Sequence, residues 1–248
     1  MQEKRIIFHG HSLEHLGGRN CIGLPDVEEA RRRIFLLSPA NASGIRAKGL
    51  LRADARSELA QKLRGAGAPL GEVYGFISSL YFRGKLAYAE KFQNPPDGAD
   101  GVYIITASAG LMSPGANVTL PDLQNISSAA VDAANREYRE PLDCDLLQLR
   151  NRIDSRTEII LLGSVATPKY VEPLLASFSD RLFFPRDFAG RGDMSRGGLL
   201  LRCVSSNTEL IYVPVGSSQR NGERPPKLSK LRGSRERVPL GSPNTGSE

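Results

Sequence analysis

RIFLLSPANASG occupies residues 33–44. After one arginine, RIFLL is a continuous apolar run, the pattern of a strand buried on both faces rather than the alternation of a half-exposed one. Pro39 ends the run, and SPANASG (38–44) follows as a loop of small and helix-capping residues. Two later stretches repeat this plan. VYIITA (102–107) runs into SAGLMSPGANVTLPDL (108–123), and EIILLG (158–163) runs into SVATP (164–168), where Thr167 and Pro168 read as N-cap and first residue of a helix through Ala176.

Helical patterns fill the intervals. Residues 45–65 carry Leu50, Leu51, Leu59 and Leu63 on one face and stop at Gly65–Gly67. Residues 71–92 give the clearest helix, with Val73, Phe76, Ile77, Leu80, Tyr81 and Tyr88 at 3/4 spacing, an interruption at Gly84 that permits close packing, and Arg83 and Lys85 on either side of it. Residues 127–153 predict a helix broken at Pro141. RLFF (181–184) reads as a short fourth strand, and Leu199–Val204 with Glu209–Val215 predict a terminal hairpin over SSNT. Strands alternating with helices predict an α/β fold: a single domain with a mostly parallel central sheet flanked by helices on both faces, closed by a C-terminal hairpin. The expected organisation is an N-terminal extension (1–29), the α/β domain (30–215) and a basic tail (216–248).

Composition bounds the functions. The chain has 248 residues, 40% hydrophobic and 24% charged, enough for one sizeable core. No apolar run approaches the roughly 18 residues of a membrane-spanning helix. Three cysteines exclude a disulfide framework, and Cys144 and Cys203 have no neighbour that would activate a thiolate. The first 24 residues contain no apolar segment of signal-peptide length, so the expectation is a cytoplasmic protein without a membrane partner. The net charge of +6 is concentrated at one end: residues 216–248 hold seven Lys/Arg against three Glu, have no aromatic, and are rich in Ser, Gly and Pro. Such a segment is expected to be disordered, and it either solubilises the chain or touches DNA or RNA non-specifically.

All three histidines, His9, His11 and His15, lie in the N-terminal extension with Cys21; they read either as a metal cluster, although the spacing matches no closed zinc site, or as part of a poorly defined extension. From residue 16 onward there is no imidazole. Unless the extension folds back, Ser-His-Asp and Cys-His catalysis are excluded, and proton transfer falls to Asp, Glu, Tyr, Lys or water. The cofactor is unknown from the sequence; GxxxxGK[ST] is absent and no GxGxxG follows the first strand, so neither a P-loop nor a Rossmann dinucleotide site is expected.

In open α/β sheets, ligands bind at the carboxyl ends of the strands. The three loops there nominate Ser38, Asn41, Ser43, Thr106, Ser108, Gly110 and Ser164 as ligand-binding residues, although short connections need small residues and caps in any case. The segment GRGDMSRGG (190–198) is the most unusual in the chain. Either Arg191 and Arg196 clamp an anionic group from a flexible loop, with Asp193 as the catalytic acid or base, or the segment is a solvated turn. Lys169 stands at a helix start, where the dipole disfavours it; it is an exposed lysine or a partner for an anion.

Three segments resemble the YaaA-like domains, a largely uncharacterised family named after a bacterial peroxide-stress protein: SLYFRGKLAYAEKF (79–92), GVYIITASAGLMSP (101–114) and FPRDFAGRGDMSRGGLLL (184–201). The resemblance covers about 33–205 and implies an intracellular α/β domain linked to DNA or modified-base metabolism. Two departures matter. The family has a lysine in the turn where this chain has Ser108 or Ala109, and its first strand leads into a Cys/Ser/Lys-rich loop where this chain has SPANAS, so a lysine-dependent activity does not carry over. The expected function is binding or acting on a nucleobase, nucleotide or nucleic-acid group at the strand ends, with a small anionic or nucleobase-like partner. The alternatives are a non-catalytic DNA-binding stress protein using its tail, and a module that binds a protein partner.

Overall fold

The computed structural model describes residues 31–42, 44–223, 225–226 and 228. Ser43, the histidine-bearing N-terminal segment and most basic residues of the tail lie outside these described residues.

Four parallel strands form the centre: β1 (Arg33–Leu37), β3 (Val102–Ile105), β6 (Glu158–Leu162) and β7 (Leu182–Pro185). Two short antiparallel strands close the edges, β4 (Leu111–Met112) on β3 and β8 (Tyr212–Pro214) on β7, giving the order β4-β3-β1-β6-β7-β8. Ile34 through Leu37 and Ile159 through Leu162 each have 0% exposure. Neighbouring strand residues point to opposite sides, so a strand buried at every position is covered on both faces. The continuous apolar runs carry that information, and the α/β class with a mostly parallel sheet follows from them.

The layers come from the connections. From β1 the chain passes through α1 (Ile45–Leu51), α2 (Glu58–Arg64), α3 (Leu70–Ser78) and α4 (Leu80–Phe92) to β3 on one side of β1. It then returns through α5 (Leu120–Ile126) and α6 (Arg136–Arg152) to β6 on the other side, and through α7 (Pro168–Phe178) to β7. Right-handed crossovers running in opposite directions place their helices on opposite faces. Accordingly α6 packs on α7, while α8 (Asp193–Ser206) packs along α4. A two-residue antiparallel pair, β2 (Ala68–Pro69) with β5 (Asn117–Val118), ties the entry of α3 to that of α5.

Several boundaries differ from expectation. The 45–65 helix is two helices, because Arg52 leaves the first in extended conformation and Ser57 starts the second by accepting from Ala60 N–H at 3.3 Å. The 71–92 helix breaks at Ser79, whose φ is 53°, and not at Gly84. Gly84 serves close packing instead: a Cβ there would come within 2.8 Å of the Gly197 carbonyl, and one on Gly197 within 2.8 Å of Leu80 O and Tyr81 Cα. Pro141 lies inside an unbroken α6, which starts at Arg136 because Asn135 accepts from Glu137 N–H at 3.1 Å.

The largest correction concerns the hairpin. Residues 199–204 are helical, within α8, and β8 pairs with β7, Val213 opposite Phe184. Its buried positions are Arg196, Gly197, Leu200 and Cys203, and the 4/3 spacing of Arg196, Leu200 and Cys203 is helical, a pattern that a run of six residues was too short to display. Gly197–Gly198 suggested a turn, but Gly197 is demanded by the crossing with α4. Among the described residues, no helix is long and apolar enough to cross a membrane.

Candidate functional site

Leu37 lies opposite Leu162, so Ser38 and Gly163 leave the sheet side by side. The connections after β1 and β6 then diverge to opposite faces, and that divergence opens a crevice at the carboxyl ends of the strands. A cavity of about 570 Å³ lies there, within the ~300–1,000 Å³ common for small-molecule sites. The β1 loop supplies Ser38 to Ala42, and the end of β3 supplies Ala107. Ser127 and Ala129 to Val131 come from the α5–α6 connection, Ser164 from the β6–α7 connection, and Lys169 and Tyr170 from the first turn of α7. Tyr74 and Ser78 of α3, Tyr81 of α4 and Asp193 of α8 complete the wall.

Behind Ser38 lies Lys85, 1% exposed. Its Nζ donates to the Ser38 carbonyl at 2.5 Å and to Ser38 Oγ at 2.8 Å. The rings of Tyr81 and Phe82 lie 4.7 and 4.9 Å from the same nitrogen. Burial disfavours the ammonium and lowers its pKa from 10.5 to about 7; the carboxylate of Asp193 opposes that shift and the guanidinium of Arg196 adds to it. Lys85 can therefore exchange a proton near neutrality. The tyrosines cannot: burial raises Tyr74 and Tyr81 to about 12 and raises Tyr170 as well. At neutral pH they offer ring faces and hydroxyl donors. The Tyr81 hydroxyl is buried without a hydrogen bond of acceptable geometry, although nearby Arg196 eases its ionisation.

Comparisons with protein-family models, with curated proteins and with solved structures return no match for this chain.

Of the residues nominated from the sequence, Ser38, Asn41, Ser164 and Asp193 border the cavity together. Ser43 lies outside the described residues. Thr106, Ser108 and Gly110 do not line it; they are engaged in their own turn. Thr106 Oγ1 donates to Gly110 O at 3.0 Å and accepts from Ala109 N–H at 2.9 Å, and Ser108 Oγ donates to Asn125 O at 2.5 Å. Gly110 adopts φ 59°, and a Cβ there would overlap the Asp145 carboxylate that receives Leu111 N–H at 2.8 Å.

The two arginines are also absent from the wall. Arg196 is 8% exposed and donates from Nε and Nη2 to Phe188 O at 3.3 and 2.9 Å, with Nη1 3.8 Å from Asp193. It fastens the turn after β7 to α8. Arg191 donates to Ser195 Oγ at 3.3 Å. The glycine-rich segment is a helix start, not a flexible clamp, and of its charged side chains only Asp193 reaches the cavity wall.

Sequence reasoning missed Lys85 and the tyrosine faces. A signal for Lys85 was present: it falls four residues after Tyr81 and three before Tyr88, on the apolar face of the helix, where a cation needs a partner. Lys169 is half-buried at the cavity rim, its main-chain carbonyl held by Tyr138 Oη at 2.8 Å. Among the described residues no three His, Cys, Asp or Glu side chains group to hold a metal.

Proposed function

We propose that the strand-end cavity binds a nucleotide- or nucleobase-like ligand, a planar ring bearing an anionic group. The observation that carries this reading is the wall itself: Tyr74, Tyr81 and Tyr170 beside Ser38, Asn41 and Ser164, with Lys169 at the rim. Aromatic faces stack on a flat ring, short hydroxyls and an amide read its edges, and an ammonium holds a phosphate or carboxylate. The three segments resembling YaaA-like domains support the same direction, because they supply Tyr81, Lys85, Ala107 and Asp193 to this region.

Calorimetric titration of the full chain with free bases, nucleosides and nucleoside monophosphates checks it. The expected result is saturable binding that is tighter for the monophosphate, with Lys169→Ala removing that preference while leaving the base alone unaffected. No heat from any of the three classes, or a phosphate preference unchanged in Lys169→Ala, contradicts the reading.

A further inference from the structure

Ser38 is the point where the cavity meets Lys85. It is 6% exposed, borders the cavity and follows directly on the central strand, its N–H donating to Leu162 O at 3.2 Å. Both hydrogen bonds of Lys85 go to it, one to the carbonyl and one to the hydroxyl. A buried ammonium wants a carboxylate in hydrogen-bond contact; Lys85 feels the charge of Asp193 but makes its contacts with a backbone oxygen, a hydroxyl and two ring faces. A neutral amine suits that environment. It carries two hydrogens and one lone pair: the hydrogens serve the Ser38 carbonyl and Oγ, while Oγ itself donates to Leu162 O over a long 3.4 Å, a weak bond that a turn of the hydroxyl exchanges for the amine lone pair. Gly163 leaves room beside the hydroxyl, since a Cβ there would stand 3.0 Å from Ser38 Cβ and 3.3 Å from Oγ.

From this geometry we infer that Ser38 and Lys85 form a nucleophile–base pair, and that the protein transfers or hydrolyses an acyl group of an ester or amide bound in the cavity. The inference rests on the cavity described above and adds a reaction to it. Ser38 Oγ forms a bond to the substrate carbonyl carbon, and its proton passes to Lys85 Nζ. The bond from that carbon to the leaving alcohol or amine breaks, and Lys85 returns the proton to the departing heteroatom. Water then attacks the acyl-serine, losing its proton to Lys85; the bond from the carbonyl carbon to Ser38 Oγ breaks, Lys85 hands the proton to Oγ, and the acid is released with Ser38 restored. No oxidant or reductant enters. No histidine is present among the described residues to perform the proton transfer, and the flanking tyrosines hold their protons. The groups facing Nζ are Ser38 from β1, Tyr81 and Phe82 from its own helix, and the charges of Asp193 and Arg196 from α8.

The full chain is incubated with a fluorophosphonate probe and with p-nitrophenyl acetate, and adducts are followed by intact mass and mapped by peptide. One adduct on Ser38 is expected, absent in Ser38→Ala, with a rate that rises as pH increases through about 7. Lys85→Met, checked for an intact melting transition, is expected to slow labelling about 10²-fold or more; if it does not fold, the wild-type pH profile carries the same decision. No adduct on Ser38 with either probe overturns the inference, as does a Ser38 labelling rate independent of pH from 5 to 9 or unchanged in folded Lys85→Met. Nucleotide titration of the wild type is read separately: binding without labelling overturns the dyad alone, and labelling without binding overturns the ligand reading alone.

Discussion

The turns after β1 and β3 look alike in sequence and differ in what their hydroxyls meet. In the β3 turn, Thr106 and Ser108 spend their hydrogen bonds within the turn and on the nearby Asn125 carbonyl. In the β1 turn, Ser38 Oγ donates weakly to Leu162 O at 3.4 Å and accepts from an amine 47 residues away in sequence, brought there by α4. Local satisfaction makes a hydroxyl part of the scaffold, while a long-range charged partner at the edge of a cavity makes it chemistry. Substitution should expose this difference most sharply. Ser38→Ala abolishes the covalent adduct, while Ser108→Ala labels at the wild-type rate; equal behaviour of the two variants by mass spectrometry would erase the distinction.

A second pair of substitutions probes the glycines in the same two places. Gly110→Ala forces a Cβ into the Asp145 carboxylate at a positive φ, and by thermal or urea unfolding it should lose about 1–3 kcal/mol. Gly163→Ala crowds Ser38 at 3.0–3.3 Å. It should lose less stability than Gly110→Ala and slow Ser38 labelling instead.

The fold was legible where burial is absolute. The runs RIFLL and EIILL have no exposed alternate positions, so composition alone marked them as central strands. Helix α8 was illegible because Gly197 and Gly198 mimic a turn until α4, more than a hundred residues earlier, is seen to need the space. The site divided along the same line. Ser38, Asn41 and Ser164 follow from strand-end location, which sequence order can give. Lys85, Tyr74 and Tyr81 reach the region through the α3–α4 bend at Ser79, a residue with φ 53° that nothing in the local pattern announces. Arg196 was misleading because its spacing suits an anion clamp, yet its guanidinium is consumed by the Phe188 carbonyl.

Stability should carry the mark of Lys85. Its folded pKa is lowered from 10.5 to about 7, so between those values the unfolded chain binds more protons and stability rises with pH. The slope attributable to this one group is at most about 1.4 kcal/mol per pH unit. The window ends below pH 10, where the raised tyrosines begin to act in the opposite direction. Melting curves from pH 7 to 9.5 should show this rise in the wild type and a smaller one in Lys85→Met; parallel curves would contradict it. Asp193→Asn should have the smallest effect. Removing the carboxylate that raises Lys85 lowers the midpoint of the labelling profile, and Arg196→Met moves it upward. Midpoints that stay in place would show that α8 does not tune the amine.

The most direct measurement is a ¹⁵N NMR titration of the Lys85 side-chain nitrogen in the full chain, assigned by its loss in Lys85→Met. The predicted midpoint is about 7. Titration at the ordinary lysine value of 10.5 would mean a permanently charged amine behind Ser38, and the chemistry assigned to the pair would fall with it.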